Sequence, residues 1–189
     1  YYAQNGDGLD LESCSKVHIH DVQFDVGDDA ICMKSGKNAV ARKIPIPTED
    51  VYIHDCVVYH GHGGFVVGSE MSRGVRRITV ENCTFVGTDV GIRFKSALGR
   101  GGVVEEIDIQ DIYMTDIVNE AIIFTMGYVL TNSDGSADLN PADVPREDVP
   151  EFKNVRMKNI NCVGAKQAIK IEGLKQLPIH DLSVEDSYF

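Results

Sequence analysis

One six-residue pattern recurs along the chain and limits what it can fold into. It first runs Val17-His18-Ile19-His20-Asp21-Val22. It returns at Val51, Ile78, Ile107, Val155 and Leu182, at spacings of 34, 27, 29, 48 and 27 residues. The first and third positions are apolar and the second is mostly polar, the alternation of a strand with one buried face. The fifth position is always Asp or Asn: Asp21, Asp55, Asn82, Asp111, Asn159 and Asp186. Both residue types tolerate left-handed backbone and bond their own main chain, so this column is expected to be a ladder of turns.

A second strand is expected after each of the first five copies. Counting from the third residue of the pattern, an apolar residue stands 12 further on at Ile31, Phe65, Ile92 and Ile169, and 13 further on at Ile122. Leu9-Asp10-Leu11-Glu12-Ser13 supplies one more such run at the front. Two short strands per repeat, 18 glycines and no amphipathic helical stretch predict an all-β chain. The expected architecture is a right-handed parallel β-helix of about six coils, one coil per repeat. A leucine-rich repeat is the competing solenoid, but its Leu and Asn spacing is absent. Residues 1–189 read as a single solenoid domain with insertions at 37–50 and 129–150, the second polar and proline-bearing.

A net charge of −11 argues against nucleic acid as partner, because that binding is dominated by Lys and Arg on phosphates. It still permits a polyanionic substrate met by a few local cations. No apolar run reaches 18 residues, so no membrane span is expected. No charged and apolar leader pattern stands at Tyr1, so no signal peptide is read here. The five cysteines lack metal-type spacing and most read as small core residues, with Cys56 and Cys83 as buried thiols rather than a disulfide. The chain reads as a monomer.

Register converts this sequence into geometry. With the first residue of each second strand as zero, Asp7 and Asp29 both stand at −2, and Asp28 and His62 at −3. Residues of one column on adjacent coils lie roughly 4.8 Å apart. Asp7 and Asp29 are therefore expected as stacked neighbours, with Asp28 beside them and His62 one coil further. Arg93 at +1 and Lys95 at +3 are expected to point outward on the next coil, because Ile92 and Phe94 point in. A surface charge ladder would also produce such columns. Convergence of three carboxylates, an imidazole and two cations favours chemistry. Crowded carboxylates differ in how firmly each holds a proton, and an acid and a base flanking an acetal bond are what glycoside hydrolysis needs. The two cations suit the carboxylates of a uronic acid polymer.

These residues resemble the polygalacturonases, family 28 of the glycoside hydrolases. The family's Asn-Thr-Asp stands here as Asn5-Gly6-Asp7, with Gly for Thr. Its Gly-Asp-Asp is Gly27-Asp28-Asp29, its Gly-His-Gly is Gly61-His62-Gly63, and its Arg-Ile-Lys is Arg93-Phe94-Lys95. Tyr128 matches a downstream tyrosine. The stretches from Gly8 to Cys14 and from His60 to Phe85 look most like bacterial members, many of them exo-acting. The resemblance implies inverting hydrolysis of α-1,4-linked galacturonic acid in pectin or polygalacturonate, without metal or cofactor, by a secreted or periplasmic protein. It implies Asp28 as general acid, Asp7 and Asp29 as residues that position and activate the water, and His62 as an assistant that holds the charge state of the acid. Arg93, Lys95 and Tyr128 would bind the substrate, with Asn5 at the edge. Family members are about twice this long, so the chain is read as a fragment lacking N-terminal coils, weakly stable or inactive alone.

Other pectin-backbone hydrolases acting on rhamnogalacturonan or xylogalacturonan are alternatives, as is a calcium-dependent pectate lyase. A non-catalytic carbohydrate-binding solenoid is another. His18, His20, His54 and His180 read as surface residues, and His60 as a neighbour of the site. Glu70 and Arg73 follow the second strand of the His62 coil, as a plain turn or as shapers of substrate ends. Gly99-Arg100-Gly101-Gly102 precedes no helix and does not read as a phosphate loop.

Overall fold

The computed structural model describes residues 5–128 and 143–189. Strand alternation shapes it as expected. One sheet holds, in order, β1 (Leu9–Glu12), β4 (Asp29–Lys34), β7 (Gly63–Val67), β9 (Val90–Lys95), β11 (Glu120–Thr125) and β13 (Gln167–Glu172). All neighbours are parallel, and Leu9, Ile31, Phe65, Ile92, Ile122 and Ile169 oppose one another in turn. The copy with the offset of 13 keeps the same register.

The second sheet holds β2 (Ser15–His20), β5 (Thr48–His54), β8 (Val75–Val86), β10 (Val103–Thr115), β12 (Glu151–Val163) and β14 (His180–Glu185). Val17, Val51, Ile78, Ile107, Val155 and Leu182 are in register there. The chain is thus a parallel β-helix in which the described strands pair with the equivalent strands of neighbouring coils.

Two strands per coil proves too few. A third segment follows the Asp/Asn corner, as β3 (Gln23–Asp25), β6 (Val57–His60) and the far halves of β8, β10 and β12. Phe24, Val58, Phe85, Met114 and Cys162 pair in register and are buried, closing a third wall of the core. The segment is short and has one inward residue per coil, too few for alternation to reveal it.

The fifth-position column is a ladder of turns: all six residues have φ between 49° and 56°. Its amides bond down the stack, Asn159 Nδ2 donating to Asp111 Oδ1 at 2.6 Å and Asn82 to Asp55. A second left-handed column lies within the strands of the second sheet, one residue before each copy of the pattern, at Lys16, Asp50, Arg77, Glu106, Asn154 and Asp181, with φ between 50° and 57°. Asp50, Asn154 and Asp181 suit this region, but Lys16, Arg77 and Glu106 carry no preference for it, so the column does not stand out in the sequence. The coil's turn imposes the conformation whatever side chain stands there.

Inward side chains stack by type. Phe94 and Phe124 are parallel with centroids 4.4 Å apart, and Phe65 meets Phe94 edge-on at 6.3 Å. Phe152, from the second sheet, meets both Phe94 and Phe124 edge-on. Such pairs add to the burial of the rings themselves.

The first insertion is shorter than expected. It carries α1 (Asn38–Arg42) but ends before Thr48, which is fully buried and already paired with Val75. Arg73 Nε donates to the Ala41 carbonyl at 2.9 Å, and buried Arg100 donates to Asn38 Oδ1 at 2.7 Å. Arg42 reaches the Arg100 carbonyl at 2.6 Å and pairs with Asp148. Arg73 and Arg100 thus pin the insertion to the coils. Of the insertion expected at 129–150, residues 129–142 lie outside the described residues. The remainder holds a 3-10 turn at Arg146–Asp148.

Candidate active site

The acids gather where the chain enters the first sheet. Gly27 and Asp28 both donate main-chain N–H to the Gly6 carbonyl at 3.2 Å, and Gly8 N–H bonds the Asp29 carbonyl at 2.9 Å. These bonds hold the Asp7 turn against the Asp28-Asp29 turn. His62 N–H donates to the Asp28 carbonyl at 2.8 Å, which brings in the next coil. Asp29 opposes Gly63 in register. A Cβ on Gly63 would lie 2.3 Å from Val66 Cγ2 and 3.3 Å from Asp29 Oδ1, so it would clash with Val66 and crowd Asp29 more lightly.

Each carboxylate has a different partner. Asp29 is 1% exposed; its Oδ2 accepts from Lys95 Nζ at 2.6 Å, and its Oδ1 lies 3.8 Å from Arg93 Nη1. Oδ1 is buried without a hydrogen bond. Asp7 Oδ2 accepts from Lys34 Nζ at 3.1 Å. Asp28 Oδ1 accepts from the Asp29 main-chain N–H at 2.9 Å and lies 3.3 Å from His62 Nδ1. On the other side of that imidazole, Nε2 lies 3.7 Å from Asp89 Oδ2.

The two cations differ from expectation. Both lie on the outer side of β9, but Lys95 is 7% exposed and engaged by Asp29, so only Arg93 is partly open to solvent. Arg93 and Lys95 both face the ring of Tyr128, at 5.7 and 5.3 Å from its centroid. Tyr128 is fixed by its N–H bond to the Ser96 carbonyl at 3.0 Å. Asn5 lies in the turn before Asp7 with φ 52°.

Asp89, Lys34 and Asp10 escaped the sequence reading, although the columns held their signal. Asp89 stands at −3 from Ile92, the column of Asp28 and His62, and Lys34 stands at +3 from Ile31, the column of Lys95. Lys34 Nζ bridges Asp7 and Asp10, donating to Asp10 Oδ2 at 2.8 Å. Burial and the nearby Asp7 push the Asp10 carboxyl above its usual range despite Lys34. Burial works against the Lys34 ammonium, but its bonds to Asp10 and Asp7 hold its affinity for the proton above the usual lysine range.

Asp7, Asp10 and Cys32 offer ligand atoms within 4.8 Å of one another. The Lys34 ammonium already sits on both acids, where a metal ion would need to be. Burial, and then the charge of Asp29, push the Cys32 thiol well up, so it stays protonated and donates to the Gly68 carbonyl at 3.3 Å. Cys56 and Cys83 are buried free thiols, as expected. Among the outlying candidates, Arg73 serves the insertion, and Glu70 lies 3.5 Å from Arg100.

Among the described residues no helix is long and apolar enough to cross a membrane. The family model for glycosyl hydrolases family 28 matches residues 2–188. An exo-poly-alpha-D-galacturonosidase of Dickeya chrysanthemi is 31% identical over 176 residues, 92% of this chain and 28% of that protein. The crystal structure of a hyperthermoactive exopolygalacturonase from Thermotoga maritima superposes with a TM-score of 0.84 at 33% identity, over 97% of this chain and 39% of that one. A family 28 exopolygalacturonase from Yersinia enterocolitica shares the fold, with a TM-score of 0.76 at 21% identity, over 99% of this chain and 37% of that one. The chain therefore spans well under half the length of these relatives. With four motifs in order on one ridge and a family match over nearly its whole length, the chain belongs to family 28 of the glycosyl hydrolases.

Proposed function

We propose that this chain is the catalytic part of a polygalacturonase that hydrolyses α-1,4 bonds between galacturonic acid residues of pectin, with inversion. One observation carries the assignment of roles. Asp7 and Asp29 each sit on a lysine ammonium, whereas Asp28 faces the imidazole of His62. A carboxylate held by a fixed cation suits work done in the ionised state. The carboxyl beside an imidazole suits one that gives up a proton.

In this reading Asp28 protonates the departing glycosidic oxygen, and Asp7 and Asp29 orient and deprotonate the attacking water on the opposite face. His62, between Asp28 and Asp89, restores the proton to Asp28. Lys95 fixes Asp29, and Arg93 with Tyr128 receives the carboxylate and ring of the sugar. Asn5 edges the same cleft. The solenoid forms one domain that acts as a monomer outside the cytoplasm, where pectin is met, and needs no cofactor.

The names of the Dickeya and Thermotoga relatives support cleavage from chain ends. The test is the longest natural polypeptide containing this chain, given polygalacturonate, rhamnogalacturonan and xylogalacturonan. Release of galacturonic acid from the first, without an ultraviolet-absorbing unsaturated product, is expected. Binding without turnover, or an unsaturated product lost on chelation, contradicts it.

A further inference from the structure

A single ammonium bridges two acids at one end of the ridge, and the backbone that carries it is held by its neighbours. The Lys34 carbonyl accepts from the Ser13 main-chain N–H at 3.2 Å and from the buried Thr48 Oγ1 at 2.5 Å. The following N–H, of Ser35, donates to the Glu70 carbonyl at 2.7 Å. These bonds tie the end of β4 to the coil before it and to the coil after it. Ile31 and Met33 are fully buried in the core, so alternation turns Lys34 outward, to the face of Asp10 and Cys32.

Asp7 lies in the loop before β1, where no strand ladder fixes it. Lys34 Nζ donates to its Oδ2 at 3.1 Å and to Asp10 Oδ2 at 2.8 Å. Among the described residues no other group donates a hydrogen bond to the Asp7 carboxylate. The side chains of Lys34 and Asp7 are each 21% exposed and that of Asp10 is 41% exposed, so the Asp7 half of the bridge is the better shielded from water. An ammonium held between two acceptors has little freedom to swing away from either. Lys95 stands at +3 on its strand as Lys34 does on its own, and it holds Asp29. Each acid assigned to the water thus has its own lysine, and both lysines come from one column.

We propose that Lys34, braced by Asp10, is a positioning residue for the hydrolysis and acts through Asp7. The inference rests on the reading of Asp7 as an activator of the attacking water. The ammonium keeps Asp7 ionised beside the other acids and pins Oδ2, which leaves Oδ1 to orient the water. Without it, Asp7 and Asp10 repel each other, and the Asp7 loop loses its tether to β4.

The test is steady-state turnover of polygalacturonate by the natural polypeptide and by Lys34→Met, Lys34→Arg and Asp7→Asn. Amide NMR spectra at the assay temperature establish that each chain is fully folded. Lys34→Met is expected to lower kcat by about tenfold to a hundredfold, the worth of one charge-assisted bond, with KM within about twofold of the parent. Lys34→Arg, whose guanidinium also reaches two carboxylates, should recover kcat to within about fivefold. Lys34→Gln keeps N–H donors without the charge, and gives the same decision should Lys34→Met fail to fold. Asp7→Asn should lose at least as much turnover as Lys34→Met. A folded Lys34→Met or Lys34→Gln with parental kcat, beside an inactive Asp7→Asn, overturns the inference and leaves the role of Asp7 standing. Parental kcat in Asp7→Asn as well overturns both. A raised KM with kcat kept would make Lys34 a ligand of the substrate carboxylate, and also overturns it.

Discussion

Lys95 Nζ lies 2.6 Å from Asp29 Oδ2, and their side chains are 9% and 2% exposed. This is a buried ion pair on the ridge of acids, and its members depend on each other. Removing one partner of such a pair leaves a charge out of water and costs about 3–5 kcal/mol. Lys95→Met is therefore expected to lower stability by that amount and to depress turnover on charged and methyl-esterified substrates alike. Thermal unfolding and paired kinetics check both. A variant with parental melting temperature would show that Arg93, 3.8 Å from Asp29 Oδ1, suffices for the pair.

Arg93 has the opposite profile. Its side chain is 21% exposed and its guanidinium faces Tyr128. Arg93→Ala is expected to cut kcat/KM on polygalacturonate by about tenfold to a hundredfold, the worth of a charge-assisted bond at about 1.5–3 kcal/mol. The loss on methyl-esterified pectin should be several times smaller. Equal losses on both would show that Arg93 does not read the substrate carboxylate.

Glu106 is exposed and holds φ 56° without a residue type suited to it. Left-handed backbone costs most residues about 1–2 kcal/mol, and Asn less. Glu106→Asn is expected to stabilise the chain by about 0.5–1 kcal/mol, read as a rise in denaturant midpoint. A fall would show that the coil's turn is not strained there.

Arg77 donates to Asp50 Oδ1 and Glu49 Oε2, both at 2.6 Å, on an open face of the second sheet. Bonds from Arg76 and Arg77 lower the Glu49 carboxyl below its ordinary 4.5, and Arg77 lowers Asp50 below its ordinary 3.8. Depressed carboxyls stabilise above their ordinary values and lose that contribution as pH falls through the folded ones. Arg77→Ala should thus melt about 1–2 °C lower at pH 7, a small effect for exposed pairs. The difference should close as pH falls below the ordinary carboxylate range and both acids take up protons. A difference that widens in acid reverses the sign of this account.

Much of the fold could be read from residues of fixed period. The apolar columns at Val17 and Ile31 gave both sheets and their register, because a one-residue slip would turn every inward side chain out. The left-handed column at Lys16 and Arg77 could not be read, since coil geometry rather than side-chain preference sets it. The third wall through Phe24 and Val58 was hidden by its brevity. At the site, the stacking of Asp28 on His62 was legible from their column. The occupation of Lys95 by Asp29 was not, because a side chain's reach of several ångströms is not written in strand register. Asp89 was legible as well, since it stands three residues before Ile92, in the column of Asp28 and His62.

The assignment of Asp28 as the acid is tested most directly by Asp28→Asn in the natural polypeptide, followed by release of galacturonic acid from polygalacturonate. The amide keeps the shape and can still accept from the Asp29 N–H, now at 2.9 Å, but it cannot deliver a proton to the leaving oxygen. Loss of a general acid predicts a fall in kcat of about 10²–10⁴-fold, with the melting temperature and the binding of oligogalacturonate close to those of the parent. Turnover within a few fold of the parent would contradict the assignment, and the proton would have to come from elsewhere on the ridge.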